Sequence, residues 1–161
     1  MEHRARERFQ SCDGSKDELV RAVMARESTR LFVAVAAAAA EQSSRADRAA
    51  HGFATTIDSV RTNPILLKMF DSESALVLEQ LTTNASTLLA SAIDAAAHIA
   101  RGEVDLERFA IPDAPEVVVR VVHSILLTPA AGAALETYDD LLVFAHRSIV
   151  PLLVSGDHRE E

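Results

Sequence analysis

The side chains that could do chemistry in this chain do not gather into a reactive set. Cys12 is its one cysteine, and no histidine stands near it in the sequence. A reactive thiolate needs a base or a positive charge beside it, so Cys12 reads as an incidental thiol. The six histidines show no ligand spacing: His51 and His146 stand alone, and His3 and His158 lie in the termini. Asp94 and His98 are four apart, with Ser91 and Arg101 on the same polar face. One helical turn could aim both at a metal ion, but two ligands make no site and the sequence supplies no third. It also holds no Gly-rich phosphate loop and no nucleophile elbow. The expectation is a protein that is not an enzyme and uses no metal or cofactor.

Polar residues on apolar helical faces are the more informative signal. Glu116, Arg120, His123 and Ser124 fall on adjacent turns of an otherwise apolar segment. Glu116 and Arg120 form an i,i+4 pair in the favourable order. They either face an effector or partner, or satisfy each other, since charges are rarely buried unless paired. Asn84 falls on the stripe Val77, Leu81, Leu88. A core-facing amide needs a hydrogen-bond partner, which a ligand, the backbone or water could supply. Phe53, Met69 and Phe70 suit either apolar pocket walls or ordinary core packing. The candidate ligand-binding residues are therefore Phe53, Met69, Phe70, Leu81, Asn84, Leu88, Arg120 and His123.

These residues need a scaffold, and composition bounds it. The chain has 161 residues, one domain's worth. Its 24 Asp and Glu against 16 Lys and Arg give a net charge of -8, which opposes broad electrostatic binding to nucleic acid. One cysteine allows no intramolecular disulfide and fits a reducing compartment. The longest apolar run, Leu31–Ala40, is well short of the ~18 residues of a membrane span. The charged N-terminus has no signal-peptide core. A cytoplasmic, all-α bundle of about six helices is expected.

Residues 1–14 carry no repeating apolar face and read as a mobile prelude. Ser15 and Glu18 have capping-box spacing, so the first helix should start there and run to about Gln42 on the stripe Leu19, Val20, Val23, Met24, Leu31, Val35. A second should run from about Ser44 to Asn63, with Phe53, Ile57 and Val60 inward. Asn63-Pro64 caps a short third helix, apolar on most sides and so expected to be buried. A single long helix from about Glu73 to Arg101 should stop at Gly102, before a loop, Glu103–Pro112, anchored by Leu106, Phe109 and Ile111. Asp113 caps the next helix, which Pro129 closes, and Thr137 caps the last. The polar tail begins at Ser155, leaving 15–154 as the domain. The last two helices are apolar over more than one face, which a partner subunit would cover.

The stretch Gly14-Ser15-Lys16-Asp17-Glu18-Leu19-Val20 resembles the start of the fourth helix in TetR-type transcriptional regulators, with Phe9 answering to that family's preceding phenylalanine. Arg61-Thr62-Asn63-Pro64-Ile65-Leu66, Asp71-Ser72-Glu73, Gln80-Leu81-Thr82-Thr83, Val119-Arg120-Val121-Val122-His123-Ser124 and Ile149-Val150-Pro151-Leu152-Leu153 resemble the effector domain of an actinobacterial-type branch, in order and spacing. The resemblance implies a pocket for a small apolar effector among the middle helices. It implies a homodimer through the last two helices as a four-helix bundle, with Val117, Val121, Ser124, Ile125, Phe144, Ser148 and Leu152 at the interface. The family's DNA-reading unit is three helices ahead of Ser15; even a bare helix-turn-helix needs roughly 20 residues, against 14 here. The expectation is a ligand-sensing, dimerising core without its own DNA-reading unit. Two alternatives stay open: an interaction protein that heterodimerises with a full-length relative and weakens its DNA binding, or a truncated reading frame of a full regulator.

Overall fold

The computed structural model describes residues 2–101, 109, 111–128 and 135–154, with side chains from residue 15 onward. The expectations on Gly102, Leu106, Pro129, the tail from Ser155 and the Cys12 side chain lie outside the described residues. The fold is all-α, a helical bundle with no strand among the described residues. Its elements are α1 (Glu2–Ala40), α2 (Arg45–Thr62), α3 (Pro64–Ser72), α4 (Ser74–Leu81), α5 (Ser86–Arg101), α6 (Ala114–Leu127), α7 (Tyr138–Phe144), a π-helical turn (Ala145–Ile149) and α8 (Val150–Leu153).

Three helix starts follow from their caps. Ser44 accepts a hydrogen bond from the Asp47 amide at the start of α2. The Asn63 side chain accepts from the amides of Ile65 and Leu66, with Pro64 in the first turn of α3. Thr137 and Asp140 form a complete capping box at α7. Each side chain satisfies amides that the helix itself leaves without partners.

Helix α2 is the hub, packing against α1, α3, α5, α6, α7, the π turn and α8. Its inward face, Ala49, Ala50, Phe53, Ala54 and Ile57, is almost wholly buried. Small residues there let neighbouring backbones come close, and close packing is where dispersion accumulates. Phe53 stacks on Phe144 with ring centroids 5.7 Å apart, joining α2 to the end of α7. Leu141, Ala145, Ile149 and Leu153 complete the core from the C-terminal rod.

Four local expectations are corrected. The first helix does not begin at Ser15: α1 runs through from Glu2, with Ser15 and Glu18 inside it. Glu2, Arg4, Ala5, Arg6, Glu7 and Gln10 are strong helix formers, and extending an existing helix is easier than nucleating one. Leu19 leaves the apolar stripe and is 64% exposed. Helix α3 lies at the surface, with Leu66 buried but Ile65 and Leu67 exposed. The long helix over 73–101 is two helices, α4 and α5, separated by Thr82-Thr83-Asn84-Ala85. Thr82 and Asn84 have side chains that compete for backbone and nearby groups. Thr82 donates to the Leu78 carbonyl at 2.6 Å, and Asn84 Nδ2 donates to the Glu79 carboxylate at 3.0 Å.

The wide turn before Pro151 also has a local cause. Proline lacks an amide hydrogen and clashes with the carbonyl four residues back. The preceding turn opens to π spacing, with the Val150 amide bonding Ala145 O five residues back.

Candidate functional site

Between the helices lies a cleft of about 800 Å³ including its open mouth, of which about 120 Å³ admits the centre of a water molecule. Five segments of the bundle line it: Met24, Glu27, Ser28, Leu31 and Phe32 from α1; Thr56 and Val60 from α2; Leu66 and Phe70 from α3; Leu81, Leu88, Leu89 and Ala92 from α4 and α5; and Val119, Val122, His123, Leu126 and Leu127 from α6. The lining is almost entirely aliphatic or aromatic, with Glu27, Ser28, Thr56 and His123 as its polar members. Mostly apolar walls with a few placed polar groups are the usual make-up of a small-molecule site.

A second cavity continues from the cleft into the core. It shares Phe32, Thr56, Ala92, Val119 and Val122 with the cleft, and adds Phe53, Gly52, Ala95, Ala96, Ile99 and others. On the outer side, a groove against Arg30, Asn63 and Pro64 shares Glu27, Leu31, Val60 and Leu66 with it. Those four residues form the partition between the surface groove and the cleft.

Glu27 is the buried charge of this partition, at 4% exposure. Asn63 Nδ2 donates to its Oε2 at 2.9 Å, and Arg30 Nη1 donates to its Oε1 at 2.9 Å. The Asn63 hydrogen bond above all, with the charges of Arg30 and Arg26, holds the carboxyl below its ordinary value against the opposing effect of burial. Because Asn63 also caps α3, one amide side chain ties the start of α3 to the middle of α1.

His123 closes another side. Its Nε2 lies 2.6 Å from the carbonyl of Leu81, the last residue of α4. A carbonyl only accepts, so Nε2 carries the hydrogen and donates. The bond satisfies a carbonyl at the helix end, where the ladder stops, and ties α6 to the α4–α5 break. Outside the cleft, Tyr138 OH meets His51 Nδ1 at 3.1 Å and Thr55 Oγ1 at 3.0 Å, a polar lock between α2 and α7.

The residues singled out from the sequence separate into groups. Phe70, Leu81, Leu88 and His123 line the cleft, and Phe53 lines the inner cavity. Met69 is half-buried on α3 and lines neither. Asn84 is not on a core-facing stripe: the break turns it out, exposed and bonded to Glu79. Arg120 is exposed and bonded to Glu116 at 2.7 Å, so of the two readings of that pair the self-satisfied one describes its geometry. Of the residues assigned to a dimer interface, Val117 and Ser124 are exposed and Ser148 is half-buried. Val121, Ile125, Leu152 and Phe144 are half-buried and pack partly on the chain's own core.

Glu27 was missed from sequence although the signal was there. It lies three residues after Met24 and four before Leu31, on the apolar stripe itself. Phe32, Thr56, Val60, Ala92, Val119 and Val122 carried no such signal, since a wall residue and a core residue look alike in one dimension. Asp94 and His98 are both exposed, and no three potential metal ligands come together among the described residues. No described helix is long and apolar enough to cross a membrane. No protein-family model, no curated protein and no solved structure matches the chain.

Proposed function

We propose that this chain is a ligand-sensing and dimerising core of a TetR-like regulator, which takes a small, largely apolar molecule into the cleft. The observation that carries the sensing half is the cleft's construction: α1 to α6 all contribute to one apolar volume. Occupancy would therefore be felt by several helices at once. A ligand shifts a bundle only by its differential affinity for two arrangements, and a volume shared among moving helices provides that difference. Helix α1 supplies five of its lining residues and is the longest element, so it is the lever through which occupancy would be passed on. The regulatory assignment rests on the sequence resemblance, and the sensing assignment on the cleft.

The test uses N-phenyl-1-naphthylamine, a neutral apolar dye whose fluorescence rises in dry surroundings. The intact protein should bind it with a micromolar constant and gain thermal stability in proportion to dye concentration. Ala92→Leu places extra volume where the cleft meets the inner cavity. It should weaken dye binding about tenfold while costing under about 2 kcal/mol of stability. Absence of dye binding by the unaltered protein overturns the reading.

A further inference from the structure

The donors shown for Thr56 and His123 in the cleft are taken up by the protein's own carbonyls, and Thr56 and Glu27 keep acceptor lone pairs. Glu27 is a carboxylate, which only accepts when ionised, and its two hydrogen bonds leave lone pairs over. Thr56 gives its hydroxyl hydrogen to the Gly52 carbonyl at 2.7 Å, leaving its oxygen as an acceptor. His123 gives its Nε2 hydrogen to Leu81, so that hydrogen is not available to a ligand. Ser28 can do either. Among the described residues, no Lys or Arg lines the cleft.

The charge balance runs the same way. Arg30 is the cationic partner of Glu27, but its side chain is 53% exposed while that of Glu27 is 3% exposed. Arg30 lines the outer groove and not the cleft. Water screens the cation far more than the carboxylate, so the carboxylate is the less screened charge of the pair beside the cleft. An anionic ligand would be buried beside a like charge, with the Ser28 hydroxyl left to donate to it. A neutral hydrocarbon would leave the acceptors unanswered.

We propose that the cleft selects an amphiphilic amine: a hydrocarbon or aromatic body carrying a protonated, hydrogen-donating nitrogen that sits against Glu27 at the partition with the outer groove. This rests on the reading of the cleft as a ligand site and names the class of ligand it takes. The ammonium supplies what the lining is short of, hydrogen donors, and what it lacks, a Lys or Arg charge, and charge-assisted hydrogen bonds are the strong ones. The body fills the aliphatic volume between Leu88, Val122 and Leu126. The outer groove, with Glu27 at its inner wall, gives the cation a path that stays near water until it reaches the carboxylate.

Three ten-carbon probes of similar size test this at neutral pH by displacement of N-phenyl-1-naphthylamine, each below its micelle concentration: decylammonium, 1-decanol and decanoate. Decylammonium should bind at least about tenfold tighter than 1-decanol, and decanoate should be weakest. Glu27→Gln, checked for folding by circular dichroism, should bring decylammonium within about threefold of the alcohol. If the dye binds but the three probes compete equally, or decanoate is tightest, the amine assignment is overturned and the cleft stands as a ligand site. If neither dye nor probes bind, both fall. Retained amine preference in folded Glu27→Gln also overturns the assignment. Should that variant not fold, the ranking on the unaltered protein decides.

Discussion

Glu27 shows how one residue can be read two ways at once. Placed on the buried stripe of α1, an unpaired carboxylate would be costly, and Asn63 and Arg30 make it tolerable. Its ionised form is favoured in the folded protein, so its folded pKa lies below the ordinary value of 4.5. The unfolded chain then binds more protons as the pH drops, and the contribution is lost as pH falls through the lowered value. It is fully present above 4.5. Asp140, held low chiefly by its Thr137 hydrogen bonds, adds acid sensitivity of the same sign. It is unchanged in a Glu27 variant and cancels in the comparison. Urea unfolding of the unaltered protein and Glu27→Gln should therefore show a stability gap at pH 7 that narrows by about pH 3. A gap constant across that range would mean that the carboxylate's charge contributes nothing to the fold. The signal for this residue was legible as a break in the apolar periodicity of α1. Asn84 was overread by the same logic, because it rested on a helix that the chain does not continue.

At the scale of elements, three caps were legible and tertiary breaks were not, while Asp113 stands at the start of α6 without a side-chain cap bond. Ser44, Asn63-Pro64 and Thr137 each announce a helix start through a side chain that bonds its own first turn, a short-range event that spacing encodes. The Ser15–Glu18 pair has equal local merit, yet α1 passes through it, since cap chemistry worth about 1 kcal/mol does not stop a helix whose upstream residues favour continuation. The break at 82–85 is also met by His123, which bonds the Leu81 carbonyl from a segment 42 positions away that no local window contains. The two cap residues differ in reach, and this gives a comparison. Ser44→Ala removes a cap within α2 and should cost about 1 kcal/mol in urea unfolding. Asn63→Ala removes the α3 cap and also the amide that holds Glu27, so its cost should exceed that of Ser44→Ala and should shrink in acid, where Glu27 is protonated. Equal costs at both pH values would separate the cap from the carboxylate and undo the link between α3 and α1.

For the whole molecule, the surface of the last two helices decides the oligomeric state. The sequence read them as apolar on several faces and in need of a partner, but most of that surface turns inward. Leu141, Ala145, Ile149 and Leu153 are buried, and Phe144 stacks on Phe53. Val117 on α6, at 41% exposure, and Val143 on α7, at 67%, stay exposed, and Val121, Ile125, Phe144 and Leu152 are half-buried. Two valines are a small share of the about 800 Å² per partner that a stable interface buries. A homodimer through these helices would join these two valines and the half-buried Val121, Ile125, Phe144 and Leu152 to polar residues such as Ser124 and Ser148. Such interfaces depend strongly on a few central residues. In sedimentation velocity at about micromolar concentration, the unaltered chain should run as a dimer. Val143→Asp, and more strongly Val117→Asp with Val143→Asp, should shift it to monomer. Both positions are exposed, so the monomeric variants should keep their helicity and lose under about 0.5 kcal/mol of intrinsic stability. A strict monomer before any substitution would remove dimerisation from the proposal and leave ligand binding in the cleft.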